Sequence, residues 1–205
     1  MASNSNNGLK FIRMLTNEEI DLVKSTYESI KHKIVRHNEV HWINLFMNNN
    51  RMIEYNHDTI HNWVLSLIKN NNLPTHIISY GYIINPAHSV KNQDFHYDYT
   101  ITSTNIFIPL TYVTPSNATQ FITETLDKTS VDNNYYGDPI KILTEEDVPF
   151  MEVKQLICKP FCMLQLMPQT PHRGIANTDN FDRIMFFLTV DHEPYHLNEE
   201  IIYTG

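Results

Sequence analysis

The chain has 205 residues, of which 41% are hydrophobic and 19% charged, and its formal net charge is −8. That length suits one domain, and so apolar a composition supports a sizeable core and excludes global disorder. The acidic balance, with no Lys/Arg block anywhere, disfavours nucleic acid as an electrostatically captured partner.

Residues 1–15 open on an Asn/Ser-rich stretch with no apolar signal core, and read as a flexible N-terminus. Residues 16–74 read as helical support. Thr16-Asn17-Glu18-Glu19 is a capping box, followed by Ile20, Val23, Tyr27, Ile30 and Ile34 at helical spacing. A short second helix is predicted over Glu39–Met47. A third runs from about Asp58 to Lys69, with Ile60, Trp63, Val64, Leu67 and Ile68 on one stripe, and Pro74 closes it. From Thr75 the texture turns β-rich. Strands are predicted over Thr75–Ile84, Phe95–Ser103, Asn105–Val113, Thr119–Thr123, Val153–Ile157, Phe161–Met167 and Arg183–Val190, with turn residues between them. Ile184–Val190, the most apolar run, is far too short to span a bilayer, so no membrane association is expected. Residues 126–150 form an irregular, acidic insertion, with Tyr135-Tyr136-Gly137 and Glu145-Glu146-Asp147, that could serve as a lid; 191–205 form a tail. With two cysteines, Cys158 and Cys162, no disulfide framework is possible, and buried reduced thiols in a cytoplasmic protein are expected.

Helices first and then closely spaced strands indicate an α+β fold, with a sandwich or barrel of strands over residues 75–190 covered on one face by the N-terminal helices. Within it, His96-Tyr97-Asp98 puts an imidazole and a carboxylate two residues apart, on one face of a strand. His172, in Pro171-His172-Arg173-Gly174, adds a second imidazole, and eleven residues later Arg183 opens the most apolar strand. Two imidazoles and a carboxylate on one face of an octahedral ion leave three positions open, the arrangement of non-haem Fe(II) oxygenases. An α-keto acid can take two of them and O2 the third, and the acid's remote carboxylate needs a fixed cation, which a buried Arg supplies as a bidentate fork.

In these residues the sequence resembles the Fe(II)- and 2-oxoglutarate-dependent dioxygenases of double-stranded β-helix (jelly-roll, cupin-like) fold. Their pattern of H-x-D, a distal His and an Arg or Lys about ten residues on maps to His96, Asp98, His172 and Arg183. The stretch from Asn105 to Ile122 looks like the paired strands of prolyl-hydroxylase-like members, with Ser116-Asn117-Ala118-Thr119 where those carry Gly-Gly-x-Thr. The spacing from His172 to Arg183 looks more like the phytanoyl-CoA-hydroxylase branch. The likeness runs from about Ile77 to Val190.

It implies Fe(II) on His96, Asp98 and His172, 2-oxoglutarate salt-bridged to Arg183, and hydroxylation of an amino acid, a peptide side chain or a small metabolite with succinate and CO2 as coproducts. Asp98 stands where halogenating members carry Gly or Ala, so no ligand position is vacated for chloride. Tyr80 and Tyr82 fit either a hydroxyl on the 2-oxoglutarate carboxylate or cross-strand packing. Asn105 fits the other carboxylate or the surface. Thr189 and Met185 share the Arg183 face by period two and fit the cofactor pocket. His57 and His61, at i and i+4, have a zinc-compatible spacing without the Glu of H-E-x-x-H, which favours a structural role. Two rival readings remain at this level: a cupin-type metal hydrolase or isomerase that does without 2-oxoglutarate, and a non-catalytic β-barrel binding module.

Overall fold

A computed structural model describes residues 8–34, 40–47, 58–98, 102–123, 140–141, 152–168 and 170–193. Helix α1 (Asn17–Ile30) starts as its capping box requires. The Thr16 amide donates to Glu19 Oε2 at 2.9 Å, and the Glu19 amide donates to Thr16 Oγ1 at 3.3 Å. The second helix, α2 (Asp58–Asn70), buries Ile60, Val64, Leu67 and Ile68, the stripe its periodicity defines, with Trp63 partly buried beside them.

Two segments differ from the sequence expectation. Residues 9–14, expected to be flexible, form strand β1 (Leu9–Met14), and residues 41–47, expected to be helical, form strand β2 (His41–Met47). In β2, Ile43 and Leu45 are buried while Trp42, Asn44 and Phe46 lie half-exposed, a period of two. Its neighbour then decides the conformation: β2 pairs antiparallel with strand β3 (His76–Asn85), and that pairing overrides an apolar run of ambiguous period. The remaining strands are β4 (His96–Tyr97), β5 (Thr104–Pro109), β6 (Thr119–Ile122), β7 (Ile140–Lys141), β8 (Val153–Leu156), β9 (Cys162–Leu166), β10 (His172–Gly174) and β11 (Arg183–Asp191). Of the predicted strand Phe95–Ser103, His96 and Tyr97 form β4 and the chain bends at Asp98, while residues 99–101 lie outside the described residues.

The strands form two antiparallel sheets, ordered β1-β9-β5-β11-β3-β2 and β7-β4-β10-β6-β8. Followed along the chain, β3, β5, β9 and β11 fall in the first sheet and β4, β6, β8 and β10 in the second. This winding between facing sheets is a double-stranded β-helix. Strands β1 and β2 extend the first sheet at its two edges, and β7 extends the second. The first sheet is buried on both faces. Its outer side packs Tyr80, Tyr82, Ile84, Ile106, Ile108, Phe186 and Leu188 against α1 and α2. Its inner side turns Phe107, Leu164, Leu166, Met185 and Phe187 toward Phe121 and Leu156 of the second sheet. Apart from residues 140–141, the insertion 126–150 lies outside the described residues, as do residues 1–7, His57 and the tail from 194.

Glu19 joins three elements on the helical side. It takes two 2.6 Å bonds from the Arg13 guanidinium on β1 and one of 3.0 Å from Trp63 Nε1 on α2. The Arg13 hydrogen bonds hold its carboxyl down at about 2.

Candidate metal centre

Strands β4 and β10 are neighbours, with His96 directly opposite His172. The two imidazoles stand 4.8 Å apart between ring centroids, and the bend after β4 brings Asp98 between them. Asp98 Oδ2 lies 3.2 Å from His172 Nε2, and Oδ1 lies 3.6 Å from His96 Nε2. One ligand atom from each residue falls within 4.8 Å of the others, and among the described residues this is the one such group of three. The bend is held from behind, since Ser103 Oγ donates to the Asp98 carbonyl at 2.7 Å.

The imidazoles are oriented for coordination. His96 Nδ1 faces the Asp94 carbonyl at 2.7 Å, and His172 Nδ1 faces the Thr170 carbonyl at 3.4 Å. A carbonyl only accepts, so Nδ1 carries the proton on both rings. Nε2 of each ring is therefore the nitrogen that faces Asp98, and it is the one a metal-bound histidine presents when Nδ1 is held by a carbonyl. Burial, with His172 alongside, keeps His96 below its usual pKa. For Asp98 burial acts upward, but the two imidazoles outweigh it, and the carboxyl stays below its usual range. Two imidazole nitrogens and one carboxylate oxygen on one face are a donor set for a divalent ion such as Fe(II). Phe107 closes the site from the facing sheet, its ring edge-on to His172 at 5.8 Å.

Arg183 lies on the inner side of β11, 2% exposed. Its Nη1 donates to the Asn117 carbonyl at 2.8 Å and to Thr119 Oγ1 at 3.1 Å, while its buried Nε has no hydrogen-bond partner. No carboxylate among the described residues contacts it, and burial lowers its pKa to about 10, which leaves it cationic at neutral pH. A buried cation with an unused donor fits a carboxylate ligand. Gly174, two residues after His172, makes room for it: a Cβ there would lie 3.0 Å from Arg183 Nη2 and 2.7 Å from Gln93 Oε1.

Of the other sequence candidates, Asn105 and Thr189 come together on the inner wall, with Thr189 Oγ1 donating to Asn105 Oδ1 at 2.7 Å. Met185 lies on the same wall. Tyr80 and Tyr82 are not brought to the triad. They point to the outer face, where the Tyr82 hydroxyl donates to the Val23 carbonyl at 2.7 Å and the Tyr80 hydroxyl meets His61 Nδ1 at 3.0 Å. Burial pushes Tyr80 up to about 12. This corrects the parity of the strand by one residue: the hydroxyl of β3 that faces inward is Ser79, paired with Thr189. Thr119, Gly174 and Ser79 are the residues that sequence reasoning missed, and counting the period of two from Arg183 across the β3–β11 ladder would have found Ser79. Bound to Tyr80, His61 serves packing on the helical side. Both cysteines are free: Cys162 is buried with Sγ donating to the Lys159 carbonyl at 3.1 Å, and the Cys158 thiol is pushed up by its neighbour Cys162 and by burial.

The same architecture occurs in solved structures. SnoN, an epimerase crystallised with Fe3+, alpha ketoglutarate and nogalamycin RO, aligns with a TM-score of 0.69 over 90% of this chain and 79% of its own, at 12% identity. SnoK, a non-haem alpha ketoglutarate dependent carbocyclase from nogalamycin biosynthesis, aligns at 0.68 over 89% and 79%, with 14% identity. EctD from S. alaskensis, solved with 2-oxoglutarate and 5-hydroxyectoine, aligns at 0.59 over 89% and 71%, with 11% identity. No protein-family model and no curated protein matches the sequence. The chain thus has the double-stranded β-helix fold of the non-haem, 2-oxoglutarate-dependent enzymes. No helix among the described residues is long and apolar enough to cross a membrane.

Proposed function

We propose that this chain is an Fe(II)- and 2-oxoglutarate-dependent oxygenase that hydroxylates a C–H bond of a small molecule or a peptide side chain, using O2 and releasing succinate and CO2. The observation that carries the reading is the pairing of a His-Asp-His triad with a buried Arg183 that no carboxylate among the described residues neutralises. A metal hydrolase or a passive barrel needs the first of these at most. A dicarboxylic cosubstrate gives the second a purpose.

His96 Nε2, His172 Nε2 and an Asp98 oxygen would hold the ion on one side. Asp94 and Thr170 fix the two rings through their carbonyls, and Ser103 steadies the Asp98 backbone. Arg183, oriented by Asn117 and Thr119, would anchor the far carboxylate of the keto acid. The register agrees with that span. His172 touches Phe107, which pairs with Phe187, four residues from Arg183 along β11. The guanidinium itself crosses to the second sheet, beside Gly174, which lies two residues from His172 along β10, about 7 Å of strand and close to the reach of a five-carbon diacid, about 6 Å. Phe107, Phe187 and Leu166 exclude water from the wall facing the triad. When bound, iron and keto acid supply the oxidising chemistry, and the protein supplies placement and dryness.

Arg183→Ala separates this reading from a cupin-type hydrolase or isomerase. Succinate formation from 2-oxoglutarate should fall at least a hundredfold with the metal content unchanged. A parent protein that binds the metal but forms no succinate from 2-oxoglutarate would favour the rival, and a variant that turns 2-oxoglutarate over at the parental rate would remove Arg183 from the cosubstrate site.

A further inference from the structure

One group on the inner wall remains unused by this scheme. Ser79 is fully buried, and its hydroxyl has no hydrogen-bond partner. It sits opposite Thr189 in the ladder, and Thr189 in turn donates to Asn105 and faces it across β5. Since Asn105 Oδ1 is taken by Thr189, the cluster presents the Asn105 amide N–H groups and the Ser79 hydroxyl. A buried hydroxyl left without a partner destabilises the free protein, and such groups mark places where another molecule completes the bonding.

Distance decides which molecule. Thr189 lies six residues from Arg183, about 20 Å of strand, and two residues past Phe187, which the Phe107–His172 contact puts level with the triad. The cluster therefore lies past the level of the triad, on the side opposite the keto acid. We infer that Ser79, Thr189 and Asn105 form a neutral hydrogen-bonding seat for the substrate, and that the substrate meets it with an uncharged hydroxyl or amide group. This rests on the oxygenase reading, and it moves Asn105 and Thr189 from the cosubstrate to the substrate side. None of the three residues carries charge to balance a buried ion. The next carboxylate along β11, Asp191, is already engaged, with Oδ2 accepting from Thr102 Oγ1 at 2.8 Å and Oδ1 from the His192 amide at 2.7 Å.

The test uses the full chain with Fe(II), 2-oxoglutarate and O2, and reads stimulation of succinate formation by a panel of neutral polyols and amides set against simple carboxylates and amines. Neutral members should stimulate. Ser79→Ala should raise their half-saturating concentration about tenfold, the loss of one hydrogen bond, and leave 2-oxoglutarate affinity unchanged. The same variant should melt a few degrees higher than the parent, because an unsatisfied buried group has been removed. Stimulation by charged compounds alone, or by no neutral member, overturns the inference, and so does a Ser79→Ala variant that melts lower or loses 2-oxoglutarate affinity. If the parent protein binds no 2-oxoglutarate at all, it is the oxygenase reading that fails.

Discussion

Replacing Arg183 with Met should make the free protein more stable and blind to 2-oxoglutarate. Held at about 10 instead of 12.5, the buried guanidinium costs the folded state about 3 kcal/mol, at ~1.4 kcal/mol per tenfold change in proton affinity. The sign follows from a base whose folded pKa is depressed: the cost is fully present at neutral pH and is relieved only as the group deprotonates above about pH 10. Its bonds to the Asn117 carbonyl and Thr119 Oγ1 offset about 1 kcal/mol each. The balance is about 1 kcal/mol, and Met keeps most of the apolar stem, so Arg183→Met should melt roughly 2–4 °C higher than the parent. Adding 2-oxoglutarate with Fe(II) under anaerobic conditions should reverse the order. At a hundred times its dissociation constant a ligand stabilises by about 2.7 kcal/mol, a gain that the parent shows and the variant lacks. Thermal melts of both proteins with and without the ligand provide the assay. A variant destabilised by more than about 2 kcal/mol would make Arg183 a structural clamp, and one that keeps the ligand-induced shift would remove it from the carboxylate site.

Two further outcomes follow from the geometry. Glu19, held at about 2 chiefly by Arg13, is a carboxyl with a lowered folded pKa, so its contribution is present above about pH 4.5 and lost as pH falls toward 2. Because the group is partly solvated, Glu19→Gln should cost about 1–2 kcal/mol at pH 7 in denaturant titrations, with the gap closing in acid; a pH-independent gap would refute the ion-pair origin. Gly174→Ala would press a methyl group on Arg183 Nη2 and Gln93 Oε1, and should weaken 2-oxoglutarate about tenfold while leaving the affinity for the metal alone intact, as parallel titrations would show.

What the sequence made legible depended on where alternation survives. His96, Asp98, His172 and Arg183 stood out because polar groups of the right chemistry interrupt apolar or turn-bounded segments, and the fold buries His96, His172 and Arg183 and leaves Asp98 partly exposed beside the two imidazoles. Strand β3 shows the opposite case. From Ile77 to Tyr82 it is buried on both faces, so no polar–apolar alternation separates the outward tyrosines from Ser79, opposite Thr189 on the inner side. Strands β1 and β2 were hidden for another reason. Leu9–Met14 finds its partner in β9, about 150 residues away, and His41–Met47 finds its partner in β3, so each is a strand through contacts that no local window contains. The bend that ends β4 at Asp98 carries neither Gly nor Pro, so the sequence gives no sign of it.

Anaerobic titration of the purified protein with Fe(II) and 2-oxoglutarate tests the central claim most directly. A weak visible charge-transfer band should grow only when both are present, and should vanish in Asp98→Ala and in Arg183→Ala. A parent protein that binds Fe(II) but gives no such band at saturating 2-oxoglutarate would contradict the pairing of triad and arginine on which the account stands.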